Sequence, residues 1–160
     1  MLTTDGKTVS FKYGFGKTEG KGVGIEVMSN KSNGTAFEKE FARMLAGHDF
    51  WVHCIRDNAN GQPFDVIAAR DGVTYVFDCK DCSQERFPFS RIEENQKTAM
   101  RLWWECGNTE PMFAIRFPLR GIRVVSLSVL AEMKGKGYTA LAGEDIDRNT
   151  LPFEGWVILL

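Results

Sequence analysis

The run VFDCKDC, residues 76–82, holds two pairs of residues that could do chemistry, and the two readings exclude each other. Cys79 and Cys82 form C-x-x-C, a spacing used for zinc ligation or thiol redox work. Asp78 and Lys80 form D-x-K, an acid and a base two residues apart, as in metal-assisted phosphodiester hydrolysis. Which pair is used depends on where the chain puts the residues around them.

The segments FDVIAAR (64–70) and VTYVFDCK (73–80) are β-prone and are joined by Asp71-Gly72, a two-residue hairpin turn signal. If Arg70 pairs with Val73, Asp65 falls opposite Asp78. Directly opposed residues have Cβ atoms roughly 4.5–5.5 Å apart, so two carboxylates there repel. A hard divalent cation between them removes the conflict, because Mg²⁺ takes carboxylate oxygens and retains several waters. Alternation puts Val76, Asp78 and Lys80 on one face. Val73, Tyr75, Phe77 and Cys79 take the other, paired with Phe64, Val66 and Ala68. Cys79 then reads as a small core residue, and Cys82 points the opposite way. Zinc would need two further ligands, and Cys54, Cys106, His48 and His53 lack paired spacing. Lys80, beside the metal, would position the attacking water, help to deprotonate it, or stabilise phosphate charge.

Two helices are expected to frame this hairpin. TAFEKEFARMLAG aligns Phe37, Phe41, Met44 and Leu45, with Thr35 and Glu38 in capping-box spacing and Gly47 as its stop. A second helix spans Ile92 to Cys106, capped by Ser90 and Glu93. Its stripe of Ile92, Gln96, Ala99, Trp103 and Cys106 is interrupted by Gln96, whose amide needs a polar partner. The active site or the backbone would supply one. DFWVHCIR reads as a strand before the loop DNANGQP. MFAIRF and IRVVSLSV read as later strands, Leu130–Lys134 as a short helix and GWVILL as a C-terminal strand.

The first 33 residues are rich in glycine and lysine and read as a basic arm. GFGKT within them is not a P-loop, because Phe11 stands where that motif needs its first glycine. The 160 residues suit one domain: the arm 1–33, a core 34–129 and a C-terminal elaboration 130–160. A formal net charge of −1 argues against bulk electrostatic attraction to nucleic acid and leaves a local patch as the route. No stretch is apolar enough to span a membrane and no secretory leader is legible, so the expected location is cytoplasmic with reduced cysteines.

The order Glu38, Asp65, Asp78-x-Lys80, Gln96 resembles the PD-(D/E)xK nuclease superfamily. GTAFEKEFARML looks like the opening helix of Holliday junction resolvases, FDVIAARDGVTYVFDCK like their catalytic hairpin, and FPFSRIEENQKTAMRLWWECGNTEPMFAIRF like the segment that follows the active site in the RecU type. The likeness runs from about Gly34 to Val129, with Asp rather than the commoner Glu before x-Lys and no insertion for a junction-entering stalk. It implies an α/β fold with a restriction-endonuclease-like core, a mixed central sheet flanked by helices. It also implies DNA cleavage with Mg²⁺ (Mn²⁺ as a substitute), a homodimer, a branched DNA substrate, and a prokaryotic or viral origin. Asp65, Asp78, the Cys79 carbonyl and Glu38 would hold metal, Lys80 would sit at the nucleophile, and Gln96 would complete the site. Lys12, Lys17, Lys21, Arg43, Arg56, Lys97 and Arg101 are the expected phosphate contacts. Alternatives are a restriction-like or repair nuclease on linear or flapped DNA, a zinc-stabilised interaction module, and an inactive DNA-binding relative.

Overall fold

A computed structural model describes residues 30–55 and 62–160, with backbone alone for 30–33. Five helices are present among these: α1 (Asn30–Gly47), α2 (Glu94–Glu105), α3 (Leu127–Gly135), α4 (Glu144–Asn149) and α5 (Phe153–Ile158). Six strands form the main sheet: β1 (Trp51–Cys54), β2 (Val66–Arg70), β3 (Val73–Asp81), β5 (Met112–Phe117), β6 (Gly121–Ser126) and β8 (Leu151–Pro152). Their order is β1-β2-β3-β5-β6-β8, and only β3 and β5 run parallel. A small second sheet pairs β4 (Arg86–Pro88) with β7 (Ala140–Ala142). This is the expected mixed sheet between helical layers. No helix among the described residues is long and apolar enough to cross a membrane.

The sheet separates two apolar clusters. On one face α1 and α5 close over Val66, Ala68, Phe77 and Cys79. Phe37, Phe41 and Leu45, spaced by four, are fully buried there. Phe41 meets Phe77 edge-on at 5.0 Å and Phe153 at 5.6 Å, and Trp156 lies 5.3 Å from Phe77. On the other face Val76, Phe113, Ile115 and Val125 pack with Met100, Leu130, Met133, Leu141 and Ile146. The central strand β3 therefore sends alternate residues into two different cores.

The β2–β3 hairpin has the expected register, from Arg70↔Val73 to Val66↔Phe77. Asp71 and Gly72 have φ of 53° and 80°, the paired positive values of a tight twisted hairpin turn. The ladder stops at Val66. Asp65 donates its N–H to the Phe77 carbonyl at 2.9 Å and is not a ladder partner of Asp78. Phe64 accordingly joins the Val76 cluster, not the Val66 face assigned by simple alternation.

Four other expectations are corrected. Helix α1 begins at Asn30, so Thr35 lies inside it and the Thr35–Glu38 box is not its cap. Gly34 and the polar residues before it are weak helix formers, but they extend a helix already anchored by its phenylalanines. Helix α2 begins at Glu94, behind a 3-10 turn at Phe89–Arg91. Buried Phe89 and Ile92 hold that turn on the core, and Glu93 takes the capping role given to Ser90. Met100, not Cys106, continues the buried stripe after Gln96, and Cys106 is exposed. GWVILL falls largely within α5, because Phe153, Trp156 and Val157 bury at helical spacing; the run alone hides this, since its first anchor lies upstream.

Candidate active site

One end of the β2–β3 hairpin opens into a cavity of about 1220 Å³ beneath α1 and the start of α2. Glu38 reaches it from α1, Asp65 from the residue before β2, and Cys79 and Lys80 from β3; Gln96 comes from the first turn of α2. Asp78 is fully buried behind this wall.

Asp78 is the most constrained of these groups. Its Oδ1 accepts from Gln96 Nε2 at 2.7 Å. Its Oδ2 lies 2.7 Å from the Lys80 ammonium as a charge contact, but has no well-directed hydrogen bond. Burial pushes the Asp78 carboxyl up to about 7; Lys80 opposes that shift, and Asp65 adds to it. Gln96 Oε1 accepts from Lys80 Nζ at 3.2 Å and from the Glu93 N–H at 3.4 Å. The glutamine that interrupts the α2 stripe thus meets both the buried acid–base pair and the helix cap. Asp65, 6% exposed, accepts from the Cys79 N–H at 2.6 Å and from Gln62 Nε2 at 2.5 Å.

This donor set fits a hard divalent cation. Asp65 and Asp78 are two buried carboxylates at one end of the hairpin, and the Asp78 Oδ2 meets the Lys80 ammonium at 2.7 Å. Buried excess negative charge is costly unless a cation compensates it. No three His, Cys, Asp or Glu side chains form a ready-made cage among the described residues. A bound cation would therefore draw part of its shell from water, as Mg²⁺ commonly does.

The cysteines do not form a zinc site. All four are unbridged, and Cys79 and Cys82 are buried in clusters on opposite faces of the sheet. Burial holds the Cys79 thiol well above its ordinary range, with Asp65, Asp78 and Glu38 adding to the effect. Burial also raises Cys82, partly offset by Arg91.

The other sequence candidates are dispersed. Lys12, Lys17, Lys21 and Arg56 lie outside the described residues. Arg43 is exposed on α1, Lys97 pairs with Glu94 at 2.5 Å and Arg101 faces Glu105 at 3.6 Å. None of these three lines the cavity, whereas Lys39, Ser83 and Arg91 do. Gln62 and Arg91 carry no sequence signal, since one lies in a loop and the other in a short turn.

A sequence model of the family described as "Archaeal holliday junction resolvase (hjc)" matches residues 29–156. The chain belongs to that family. Its fold is like that of Archaeoglobus fulgidus Hjc, described as a Holliday junction resolvase from an archaeal hyperthermophile and solved at 1.6 Å. The TM-score is 0.50 at 16% identity, covering 61% of this chain and 75% of that one. No curated protein matches the sequence. Membership of the resolvase family makes the chain a junction-resolving endonuclease of the PD-(D/E)xK superfamily, whose resolvases use divalent metal ions. The zinc-module reading and that of a nuclease for linear or flapped DNA are not favoured.

Proposed function

We propose that this resolvase is a Mg²⁺-dependent homodimer, accepting Mn²⁺, that binds four-way DNA junctions and hydrolyses phosphodiester bonds at the Asp65–Asp78–Lys80 site. The observation that carries this reading is the buried Asp78 carboxylate, held between Lys80 and Gln96 at the wall of the cavity that Asp65 and Glu38 line. Asp65, Asp78, Glu38 and the Cys79 carbonyl would hold the cation. N–H and C=O of one residue in an extended strand point to the same edge. The Cys79 N–H points to Asp65, so its carbonyl faces that side too, beyond the end of the β2 ladder.

The cation supplies Lewis-acid stabilisation of the phosphate and a more acidic bound water. Lys80 offers ammonium hydrogens to the charge that develops on phosphate oxygen as water attacks. Gln96 fixes both Asp78 and Lys80, so each keeps one orientation through the reaction. Fixing these groups before substrate arrives removes reorganisation from the barrier. A homodimer suits a substrate with two symmetry-related strands, because a two-fold axis presents one site to each.

The test is cleavage of labelled four-way junction, linear duplex and flap DNA with Mg²⁺, Mn²⁺ or EDTA, alongside the protein's mass in solution. Paired cuts in the junction by a dimer, dependent on metal, are expected. Equal cutting of all three substrates would defeat junction selectivity, and full activity in EDTA would remove the metal from the mechanism.

A further inference from the structure

We propose that Arg91 is a phosphate-binding residue at the mouth of the catalytic cavity, holding a backbone phosphate of the DNA strand that enters it. The proposal rests on the nuclease reading above and adds a contact that the sequence patterns did not single out.

Three observations carry it. Arg91 lines the same cavity as Asp65, Lys80 and Gln96. Its position is built: it ends the Phe89–Arg91 turn, whose neighbours Phe89 and Ile92 are buried. Nη1 donates to the Asp81 carbonyl at 3.0 Å and to Cys82 Sγ at 3.3 Å, and the guanidinium lies 5.8 Å from the centre of the Phe87 ring. These contacts fix the group to the end of β3, just beyond Lys80. Its charge is also unspent. Arg70, Arg101, Arg116, Arg120, Arg123 and Arg148 each face a carboxylate within 4 Å. Arg91 has no such partner among the described residues, and Nε and Nη2 make no hydrogen bond there.

A fixed guanidinium with two free donor nitrogens suits a phosphate, which it can meet with two parallel hydrogen bonds. The surroundings sharpen the choice. Asp81 at the cavity wall is paired with Arg116, with contacts of 2.9 and 2.5 Å on a guanidinium it shares with Glu40, and Lys80 is engaged by Asp78. Lys97 and Arg101, further along α2, are spent on Glu94 and Glu105. The turn before α2 thus presents a positive charge that the helix itself does not.

The decisive experiment measures binding of the full chain to a four-way junction in EDTA across a range of salt concentrations. It compares wild type with Arg91→Gln and Arg91→Lys. Both variants lose the guanidinium fork, but only Gln loses the charge. Each phosphate contact contributes about −0.9 to the slope of log affinity against log salt on duplex DNA. Arg91→Gln should flatten the slope by about 0.9 per bound protomer and weaken binding roughly tenfold. Arg91→Lys should keep the wild-type slope. An unchanged slope for Arg91→Gln, or equal flattening in both variants, would overturn the proposal and leave Arg91 a structural anchor. Absence of junction binding by wild type would instead defeat the resolvase reading, and this proposal with it.

Discussion

Two of the charge clusters among the described residues, one around Asp147 and one around Asp78, are built differently. Around Asp147 two acids answer two bases: Arg120 bridges Glu85 and Asp147, and Arg123 also reaches Asp147. The acids there are only partly buried, with Asp147 51% exposed at its side chain. Around Asp78 the acids are withdrawn from solvent. Asp65 and Asp78 are both buried, and among the described residues Lys80 is the ammonium in contact with Asp78. The first cluster is complete as it stands, although the buried Arg123 Nε lacks a hydrogen bond. The second brings two carboxylates into the interior, where ionising both is costly. Burial of neighbouring acids in a cleft, more than ion pairing itself, marks the second as the candidate site.

That contrast is open to attack by substitution. Lys80→Ala should give the largest effect, a loss of about 10²–10³-fold or more in junction cleavage, as for removal of one transition-state donor. Junction binding in EDTA should persist, and retained cleavage would take Lys80 out of the mechanism. Gln96→Leu removes the hydrogen bonds to Asp78 and Lys80 without emptying the helix face. Its single-turnover rate should fall by roughly 10-fold with binding unchanged; a wild-type rate would reduce Gln96 to a cap.

Thermal denaturation in EDTA separates the clusters by sign. Asp147→Asn should destabilise by about 1–2 kcal/mol, a Tm lower by roughly 2–8 °C, because Arg123 and Arg120 lose their shared acid. Cleavage by the folded protein should be unaffected. Asp78→Asn should raise Tm in EDTA, since it removes a buried charge, while eliminating cleavage. A lower Tm for Asp78→Asn would mean that the Lys80 contact already satisfies the carboxylate. The smallest effect is expected from Cys82→Ser, with cleavage within about two-fold of wild type, because Ser retains a hydrogen-bond acceptor for Arg91.

The hairpin that carries the candidate site was legible because its signals are local. Asp71-Gly72 fixes the turn, the turn fixes the register, and the register brings Asp65 and Asp78 to one end of the ladder. The departure of Asp65 from that ladder was not legible, because it depends on where the Cys79 N–H and the Gln62 amide lie. Gln96 could be marked as needing a partner, since an amide in an apolar stripe is anomalous. Which partner it finds is a tertiary fact. Arg91 was invisible for a similar reason: an arginine in a short turn looks the same whether it faces solvent or a cavity. The C-terminal run misled because composition favours a strand, whereas the packing of Phe153 and Trp156 under α1 requires a helix.

As proposed above, Asp65 and Asp78 would hold a divalent cation between them. Titration of Mn²⁺ into the metal-free protein, followed by the rise in Tm, tests it with wild type, Asp65→Asn and Asp78→Asn. Wild type should be stabilised progressively by Mn²⁺, and neither variant should respond over the same range. Equal stabilisation of all three proteins would place the metal elsewhere and remove both aspartates from its binding.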